Sequence, residues 1–486
     1  MRKRFEEQLS LGVIPISEVK IRTKSRDEMP PILVCLQTIF VTKELNESVF
    51  DLLEAVICKD KKETGRQGMD LWHILVLGVV RHACNTNWDK LHHYANNDMI
   101  MRNIMGLHNN EFLEGFCEFE YQTILDNVSL LDVDTINKIN TLVVEHGLKL
   151  FKKKENEGLV LKTDSFVVET NVHFPTDLNL LNDSVRVALR RIIKLIKKQE
   201  ISGDGWRKAK STIRNFKTLL RSTSWAVFKG KKEEYKKEMV KLYLSTAKEI
   251  EAKLKDACIE CQDEELKKYT DYVGLFINQI DRRLLKAETI AAEEKVYSIF
   301  EEHTEWISKG KRNPELGNLM MITTNQDHLI MDYKIMFKER DAQQVKPLLA
   351  RLETAYPNQP IDSISMDKGY WNTSNFNCCV EAEIKNVVIP KKGKCNKTEY
   401  TREHTETFIK LRNKHSAVES NINALEHHGL NRCMDKGKEH FERYVALSVL
   451  SYNLHLVGKE IIRQQREKEK KALAKKGKEN RYKQAA

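Results

Sequence analysis

Residues 159–170 read LVLKTDSFVVET, and this stretch has the β-branched and aromatic content of a buried strand. It is the only strand-like run before a long helical segment. Asp164 lies in the middle of the run, between Thr163 and Ser165. A carboxylate buried in a strand loses its hydration, which is costly unless the carboxylate binds something. The stretch therefore predicts the first strand of a sheet and a candidate ligand-binding residue on it.

A second aspartate ends another strand-like run. In ISMDKGYWN (residues 364–372), Ile364 and Met366 alternate with a serine, Asp367 follows, and Gly369 permits a sharp turn. In an open α/β sheet, ligands gather beyond the carboxyl ends of the strands. Asp367 is therefore a second candidate site residue, although an aspartate in this place also commonly starts a turn.

A third acid lies in a helical stretch, RNKHSAVESNINALEHHGL (residues 412–430). Apolar residues recur there at three- and four-residue steps and predict a buried stripe, with Glu419 at its border. The helix is expected to end near Gly429. Glu419 fits a site lining, and a surface network with His415 explains it equally well.

Positive charge is concentrated in two segments of this chain of 486 residues with a net charge of +11. Residues 184–225 contain 12 Lys and Arg against 2 Asp and Glu, a net charge of +10, and residues 459–486 contain 11 against 4, a net charge of +7. Such concentration indicates a polyanion partner, first of all nucleic acid. Trp206 and Trp225 lie among the cations of the first segment, where they can stack on bases. A solvated helix face and a floppy tail are the alternative.

Proline positions and apolar periodicity indicate how the chain is organised. The proline-free spans 32–174 and 176–313 are free to be helical, and their apolar periodicity agrees outside the strand-like run 159–170. After residue 310 the apolar period shifts towards two, which predicts strands. These strands are expected at residues 318–326, 328–336, 361–367 and 385–390, with a helix at 344–356 among them.

The remaining composition argues against membrane and secreted proteins. The longest apolar stretch, residues 71–80, is half as long as the roughly 20 residues of a membrane-spanning helix, and no secretory signal is predicted. Ten cysteines without regular spacing indicate reduced thiols in a cytoplasmic protein. Cys258 and Cys261 have CxxC spacing, but they lie in an acidic helical stretch without a second ligand pair, so they are not predicted to bind zinc.

Four motifs together resemble the DDE transposases of bacterial insertion sequences: LKTDSFVVETNVHFPTDLNLL, HTEWISKGKRNPELG, SMDKGYWN and HSAVESNINALEHHGLNRC. The resemblance is to the branch with a large helical insertion, and it covers roughly residues 156–457. It implies an α-rich α/β fold in which a ribonuclease-H-like mixed sheet core is interrupted by a helical insertion and preceded by an all-α domain. The implied domains are residues 1–155 for DNA binding, 156–183 with 301–457 for catalysis, 184–300 for the insertion and 458–486 for a basic tail.

The resemblance identifies Asp164, Asp367 and Glu419 as the catalytic, metal-binding triad. Three carboxylates suit Mg²⁺ or Mn²⁺, and two ions per active site would support in-line displacement at phosphorus. The implied activity is DNA transposition: metal-dependent phosphodiester hydrolysis at the transposon ends, then transfer of the 3′-OH strand into target DNA. A catalytically inactive, transposase-derived DNA-binding protein is the alternative. Asp177 is a competing acid near Asp164, but it follows Pro175 and is expected to cap a helix.

Double-stranded DNA, as terminal inverted repeats and as target, is the partner that the resemblance implies, bound by a homodimer or larger assembly in the cytoplasm of a prokaryotic cell. Many relatives have a Tyr, an Arg and a Lys where this chain has Arg412, His415 and Glu426, so those roles do not transfer. The residues expected to contact DNA are Arg186, Arg190, Arg191, Arg207, Lys208, Lys210, Arg214, His303, Lys309, Lys311, Lys368, Lys391, Lys392, Lys394, Arg412 and His415.

Overall fold

A computed structural model describes residues 2, 4–7, 12–58, 68–113, 115–151, 158–308 and 313–485, with side chains as far as residue 474. The chain divides into two compact units. The larger unit comprises Met1–Asn171 with Ile307–Ala486, and the smaller comprises Val172–Trp306.

Helices make up most of the described chain. Their bounds are α1 (Met29–Val41), α2 (Lys43–Ile57), α3 (Leu71–Ala83), α4 (Trp88–Asn97), α5 (Met99–Ile104), α6 (Tyr121–Val128), α7 (Val133–Phe151), α8 (Asp177–Lys197), α9 (Ala209–Lys229), α10 (Glu233–Cys261), α11 (Glu264–Ile280), α12 (Val345–Ala355), α13 (Thr373–Glu381), α14 (Lys397–Glu403), α15 (Glu406–His415), α16 (Ala417–Leu425) and α17 (Lys438–Ala485). Short 3₁₀ or π turns lie at Ile16–Glu18, Asp281–Leu285, Ala292–Glu294, Asp341–Gln343, Lys368–Tyr370 and Glu426–Leu430.

Seven strands form one mixed, open sheet. They are β1 (Leu159–Thr170), β2 (Glu305–Ile307), β3 (Glu315–Thr324), β4 (Ile330–Met336), β5 (Ile361–Met366), β6 (Asn386–Val388) and β7 (Arg432–Cys433). β3 pairs antiparallel with β1, and β4 antiparallel with β3. On the other side of β1, β5 runs parallel to it and β6 runs parallel to β5, while β7 pairs with the last residues of β1. The predicted mixed α/β class is confirmed, as are the strands expected at β1 and β3 to β6.

The two faces of the sheet pack on different helices of the larger unit. Leu161 on β1 and Ile364 on β5 belong to a core that they share with the N-terminal helices. Phe166 and Val168, one step out of phase on β1, belong to a second core with Val418 of α16 and residues of α17. Alternation along β1 therefore assigns Asp164 to the face that α16 and α17 cover.

The smaller unit is an assembly of the helices α8 to α11. Its core includes Leu181 and Leu189 of α8, Tyr243 of α10 and Phe276 of α11, all at most 1% exposed. The Tyr243 ring stacks on Phe216 of α9, with ring centroids 4.6 Å apart. The long charged runs of this segment are thus amphipathic helices that bury one apolar face each, as the sequence periodicity predicts.

Two sequence predictions of local structure are wrong. Asp177 does not cap α8: it is the first helical residue, and the Thr176 side chain accepts a hydrogen bond from the backbone N–H of Asn179. Residues 412–430 are not one helix, because α15 ends at His415 and α16 begins at Ala417. The chain then enters a π turn at Glu426–Leu430, where Gly429 has φ +98°, so the predicted helix end is confirmed.

All ten cysteines lie among the described residues, and none of them forms a disulfide. Cys258 and Cys261 lie in α10, as expected for incidental helix cysteines. Among the described residues, none of the helices combines the length and the apolar character needed to cross a membrane.

Candidate active site and nucleic-acid interface

The register of β1 and β5 brings the first two predicted acids side by side. Thr163 of β1 pairs in parallel with Met366 of β5, so Asp164 and Asp367 occupy the next position along each of these two neighbouring strands. Neighbouring strands lie about 4.8 Å apart, and residues opposite each other point to the same face of the sheet. Asp164 and Asp367 therefore lie side by side at the carboxyl end of β5.

Asp367 is not used as a turn cap. It precedes the 3₁₀ turn Lys368–Tyr370, yet its side chain makes no capping hydrogen bond, and the turn is closed by the Tyr370 N–H donating to the backbone oxygen of Asp367 at 3.1 Å. Its side chain is 67% exposed. Asp164 is half-buried, and its Oδ1 accepts a hydrogen bond from the backbone N–H of Ser165 at 2.7 Å.

His415 lies between the strand end and the third acid. Its Nδ1 is 3.0 Å from Ser365 Oγ, and its Nε2 is 3.7 Å from Asp367 Oδ1. Burial lowers the pKa of His415, with Lys162 acting in the same direction, while Asp367 and Glu419 oppose the shift. Two of the three acids therefore act electrostatically on one neutral imidazole.

Glu419 reaches this region from α16. The helix packs on β1, with Val418 buried on the sheet and Glu419 exposed next to it. Lys162, on the same face of β1 as Asp164, is only 6% exposed. Burial and the nearby Lys414 lower the pKa of Lys162, while Asp327 opposes the shift. The site thus combines three carboxylates with one buried lysine and one buried histidine.

The donor set of the triad fits hard divalent cations. Asp164, Asp367 and Glu419 offer only carboxylate oxygens, which Mg²⁺ and Mn²⁺ prefer. In the described part of the chain, however, these acids do not form a group whose ligand atoms all lie within 4.8 Å of one another. A shared ion therefore requires side-chain rotation, which the exposure of Asp367 and Glu419 allows.

The structure adds two residues that the sequence did not indicate. The Tyr370 side chain is buried, and burial, Asp341, Asp164 and Asp367 together raise the pKa of its phenol, with a hydrogen bond to Ser165 opposing. Asp341 Oδ2 lies 3.2 Å from the position that a Cβ on Gly369 would occupy. A fourth carboxylate therefore faces the turn after Asp367. Asp341 follows β4 in a segment whose sequence contains no recognisable motif.

α9 of the smaller unit presents a continuous basic face. Lys210, Arg214, Lys217 and Arg221 follow one another at four-, three- and four-residue steps, which aligns them on one side of the helix, and all four are exposed. Within the described residues, none of these four cations forms an ion pair. Trp225 continues the face and is 59% exposed. We call these five residues the α9 basic face. Lys217 and Arg221 were not among the predicted contacts.

The other predicted contacts of the smaller unit differ in availability. Arg207, Lys208 and Arg190 are exposed. Arg186 pairs with Asp183 at 2.8 Å, and Arg191 pairs with Asp263 and Glu265 at 2.5 and 2.6 Å. These pairs explain the position of both arginines without a phosphate.

The predicted aromatic and histidine contacts of the smaller unit also differ in how available they are to DNA. Trp206 is half-buried against the helical core, so less of its ring is available to contact bases than of the exposed Trp225. The His303 side chain is 6% exposed and lies 3.8 Å from Glu301, a placement that does not favour contact with a phosphate.

The predicted contacts of the larger unit also differ in availability. Lys368, Lys392, Lys394 and Arg412 are exposed. Lys391 pairs with Glu399 at 2.5 Å, and this hydrogen bond is the main cause of the lowered pKa of Glu399. Lys309 and Lys311 lie outside the described residues.

No protein-family model, curated protein or solved structure matches the chain.

Proposed function

We propose that this protein is a DDE-type DNA transposase, which hydrolyses phosphodiester bonds at transposon ends and then joins the freed 3′-OH to target DNA. The observation that supports this most is the register of β1 and β5, which makes Asp164 and Asp367 neighbours at a strand end. α16 packs on the same strand β1, and Glu419 acts on the imidazole that also faces Asp367.

The sheet supports a ribonuclease-H-like core. β1 is central, with an antiparallel pair on one side and two parallel strands on the other. The smaller, helical unit follows β1 and precedes β3 along the chain, as a helical insertion in such a core would. These two features support a ribonuclease-H-like fold independently of the positions of Asp164, Asp367 and Glu419.

Asp164, Asp367 and Glu419 would hold two Mg²⁺ or Mn²⁺ ions. Such ions supply an activated oxygen nucleophile and stabilise the leaving oxygen of an in-line displacement. The protein itself would supply the three carboxylate ligands and, beside them, His415 as a proton acceptor.

His415 is suited to hold that proton at Nε2. The Ser365 hydroxyl donates to the backbone oxygen of Leu161 at 3.3 Å, so its Oγ accepts from Nδ1–H of His415. This tautomer leaves the Nε2 lone pair facing Asp367. Among the described residues, Nε2 is buried without a hydrogen-bond partner. A proton taken from a water or a 3′-hydroxyl would be stabilised there by the Asp367 carboxylate.

The α9 basic face supports binding to the DNA backbone. Four exposed cations in one row match the spacing of a charged polymer better than that of a small anion, and they leave Trp225 free to contact bases or sugars. Such contacts fix position and affinity without reading sequence.

A transposase-derived DNA-binding protein without catalysis is the second candidate. It is favoured by the separation of the three acids, which the described residues do not gather within 4.8 Å. Both candidates use the α9 basic face, so DNA affinity alone does not distinguish them.

The deciding experiment is cleavage of a labelled duplex that contains the element's own ends, with Mg²⁺, Mn²⁺ or EDTA. We expect metal-dependent nicking at the element boundary by the wild type, none by Asp367→Asn, and normal activity of Asp256→Asn, which alters an exposed aspartate of α10. If the wild type binds the duplex but does not cut with either metal, the second candidate is correct.

A further inference from the structure

A second group of ligand-bearing side chains lies elsewhere in the larger unit. Glu28, His428 and His455 each offer one ligand atom, and these atoms all lie within 4.8 Å of one another. His428 Nε2 is 3.2 Å from His455 Nδ1, and Glu28 Oε2 is 3.3 Å from His455 Nε2 and 3.9 Å from His428 Nε2. The histidines are 3% and 7% exposed.

Backbone geometry fixes His428. It lies in the π turn Glu426–Leu430 with non-helical torsions, next to Gly429 at φ +98°. A Cβ on Gly429 would lie 2.7 Å from Tyr444 Oη, so both the torsion and the space require glycine. The Nδ1 atom of His428 is 3.1 Å from the backbone oxygen of Ala83, at the end of α3. Nδ1–H therefore donates to this carbonyl, and Nε2 keeps its lone pair.

Close helix packing brings Glu28 to His455. A Cβ on Gly458, in α17, would lie 1.9 Å from the backbone oxygen of Pro31, so glycine allows the start of α1 to approach α17. Glu28 directly precedes α1 but does not cap it, because Asp27 accepts the hydrogen bond from the Met29 N–H at 2.9 Å. The Glu28 carboxylate is left facing His455.

Hydrogen bonds alone do not satisfy this group. A neutral His455 has one N–H but faces two acceptors, the Nε2 lone pair of His428 and the Glu28 carboxylate. Either choice of tautomer leaves two lone pairs in contact. Both rings are buried, which disfavours an additional proton on either of them. A cation bound by Glu28, His428 Nε2 and His455 Nε2 would take up the lone pairs that otherwise face one another.

We propose that Glu28, His428 and His455 form a binding site for a divalent transition-metal ion of the Zn²⁺ class. Two imidazole nitrogens and one carboxylate suit Zn²⁺ far better than Mg²⁺. Zn–N bonds of about 2.0–2.1 Å place neighbouring ligands of a tetrahedral ion about 3.3 Å apart. Glu28 Oε2 lies 3.3 Å from His455 Nε2 and 3.9 Å from His428 Nε2, and one ligand atom of each residue lies within 4.8 Å of the other two. Metal-binding histidines usually donate their other ring N–H to a carbonyl or a carboxylate. His428 does so through its hydrogen bond to the backbone oxygen of Ala83.

The fourth position of such an ion would open towards a basic cleft. Glu28 and His455 line a cleft of about 760 Å³ together with Lys24, Arg26 and Lys459. A water or a small anion can reach the ion from there. The ion would also tie the start of α1 to the π turn and to α17, which are distant in sequence, and would stabilise the unit by mass action.

Calorimetric titration of the full-length, EDTA-treated protein with Zn²⁺ alone tests the site. We expect one ion per chain, an affinity at least about tenfold weaker in Glu28→Gln and His428→Asn, and a Zn²⁺-dependent rise in Tm that both variants lose. His427→Asn, an exposed neighbour on the same turn, and Glu47→Gln are matched controls and should bind as the wild type does. Asp367→Asn should also bind normally, which separates this site from the carboxylate triad.

His428→Asn alters a buried side chain and can affect folding. Glu28→Gln is therefore the decisive variant, because the Glu28 side chain is 49% exposed. Circular dichroism in EDTA checks that each variant keeps the wild-type fold. Absence of stoichiometric Zn²⁺ binding by the wild type would overturn the proposal. So would unchanged affinity in a folded Glu28→Gln protein, which would identify surface histidines as the binding groups.

Discussion

Ser365 Oγ lies 3.0 Å from His415 Nδ1 and thereby determines which ring nitrogen faces Asp367. Replacing the hydroxyl removes one hydrogen bond, worth about 1 kcal/mol, and frees the tautomer. We expect Ser365→Ala to slow strand cleavage about fivefold while DNA affinity stays unchanged. Ser363→Ala, a buried serine two positions earlier on β5, is the control. Equal rates for both variants in a single-turnover assay would rule out a positioning role for Ser365.

The pH dependence of cleavage tests the protonation state of His415. Burial lowers its pKa below 6.5, so the neutral base is retained at pH values where a free histidine is already protonated. Activity should therefore persist below pH 6.5 and decline only as the pH falls through the lowered pKa. The wild-type pH–rate profile measures this. A decline centred at or above pH 6.5 would contradict it.

The proposed role of Glu419 as a metal ligand can be tested by comparison with Glu426, which lies seven residues later. Glu419→Gln removes a proposed metal ligand, and a loss of several kcal/mol of transition-state stabilisation corresponds to roughly a thousandfold slower cleavage. Glu426→Gln changes the half-buried glutamate that begins the π turn and should leave the rate within a few-fold of wild type. A similar rate loss in both variants would argue for a structural effect of the helix.

The α9 basic face predicts a specific salt dependence. Each phosphate contact contributes a slope of roughly −0.9 in a plot of log K against log salt concentration on duplex DNA. We expect the double variant Lys210→Glu, Arg214→Glu to bind the duplex more weakly and to reduce the slope by about 2. Lys253→Glu, an exposed lysine of α10, serves as control. Fluorescence anisotropy at several salt concentrations gives both quantities, and an unchanged slope would exclude this face as a DNA contact.

Alanine variants at Gly393 and Gly429 can distinguish the cost of torsional strain from the cost of a steric conflict. Both have positive φ, +98° and +96°, but a Cβ on Gly393 meets nothing within 4 Å, while one on Gly429 meets Tyr444 Oη at 2.7 Å. Alanine at Gly393 should cost about 1 kcal/mol of unfolding free energy, and alanine at Gly429 about 1–3 kcal/mol more. Urea denaturation measures both. Equal losses of unfolding free energy in the two variants would mean that the Tyr444 side chain can move away at no energetic cost.

Local periodicity was enough to predict most secondary structure around the site. β1 is rich in β-branched and aromatic residues, and apolar residues alternate with serine at the end of β5, so Asp164 and Asp367 could be assigned to a strand and to a strand end. Their adjacency depends on the register of two strands about 200 residues apart, which no local pattern encodes. The break at Ser416 was missed because neither glycine nor proline marks it.

Other residues were missed because only tertiary structure assembles them. Asp341 approaches Gly369 from a separate turn. The Glu28, His428 and His455 group joins residues about 400 positions apart, far from the spacings that identify zinc sites in a sequence.

The packing of α17 has a consequence for synthesis of the chain. α1, α3 and α7 all pack against this last helix, and Gly458 receives the start of α1. The ribosome produces α1, α3 and α7 long before α17, so the apolar faces of these helices stay uncovered until α17 has been synthesised. A chain that ends before α17 would therefore expose these faces and be prone to aggregation.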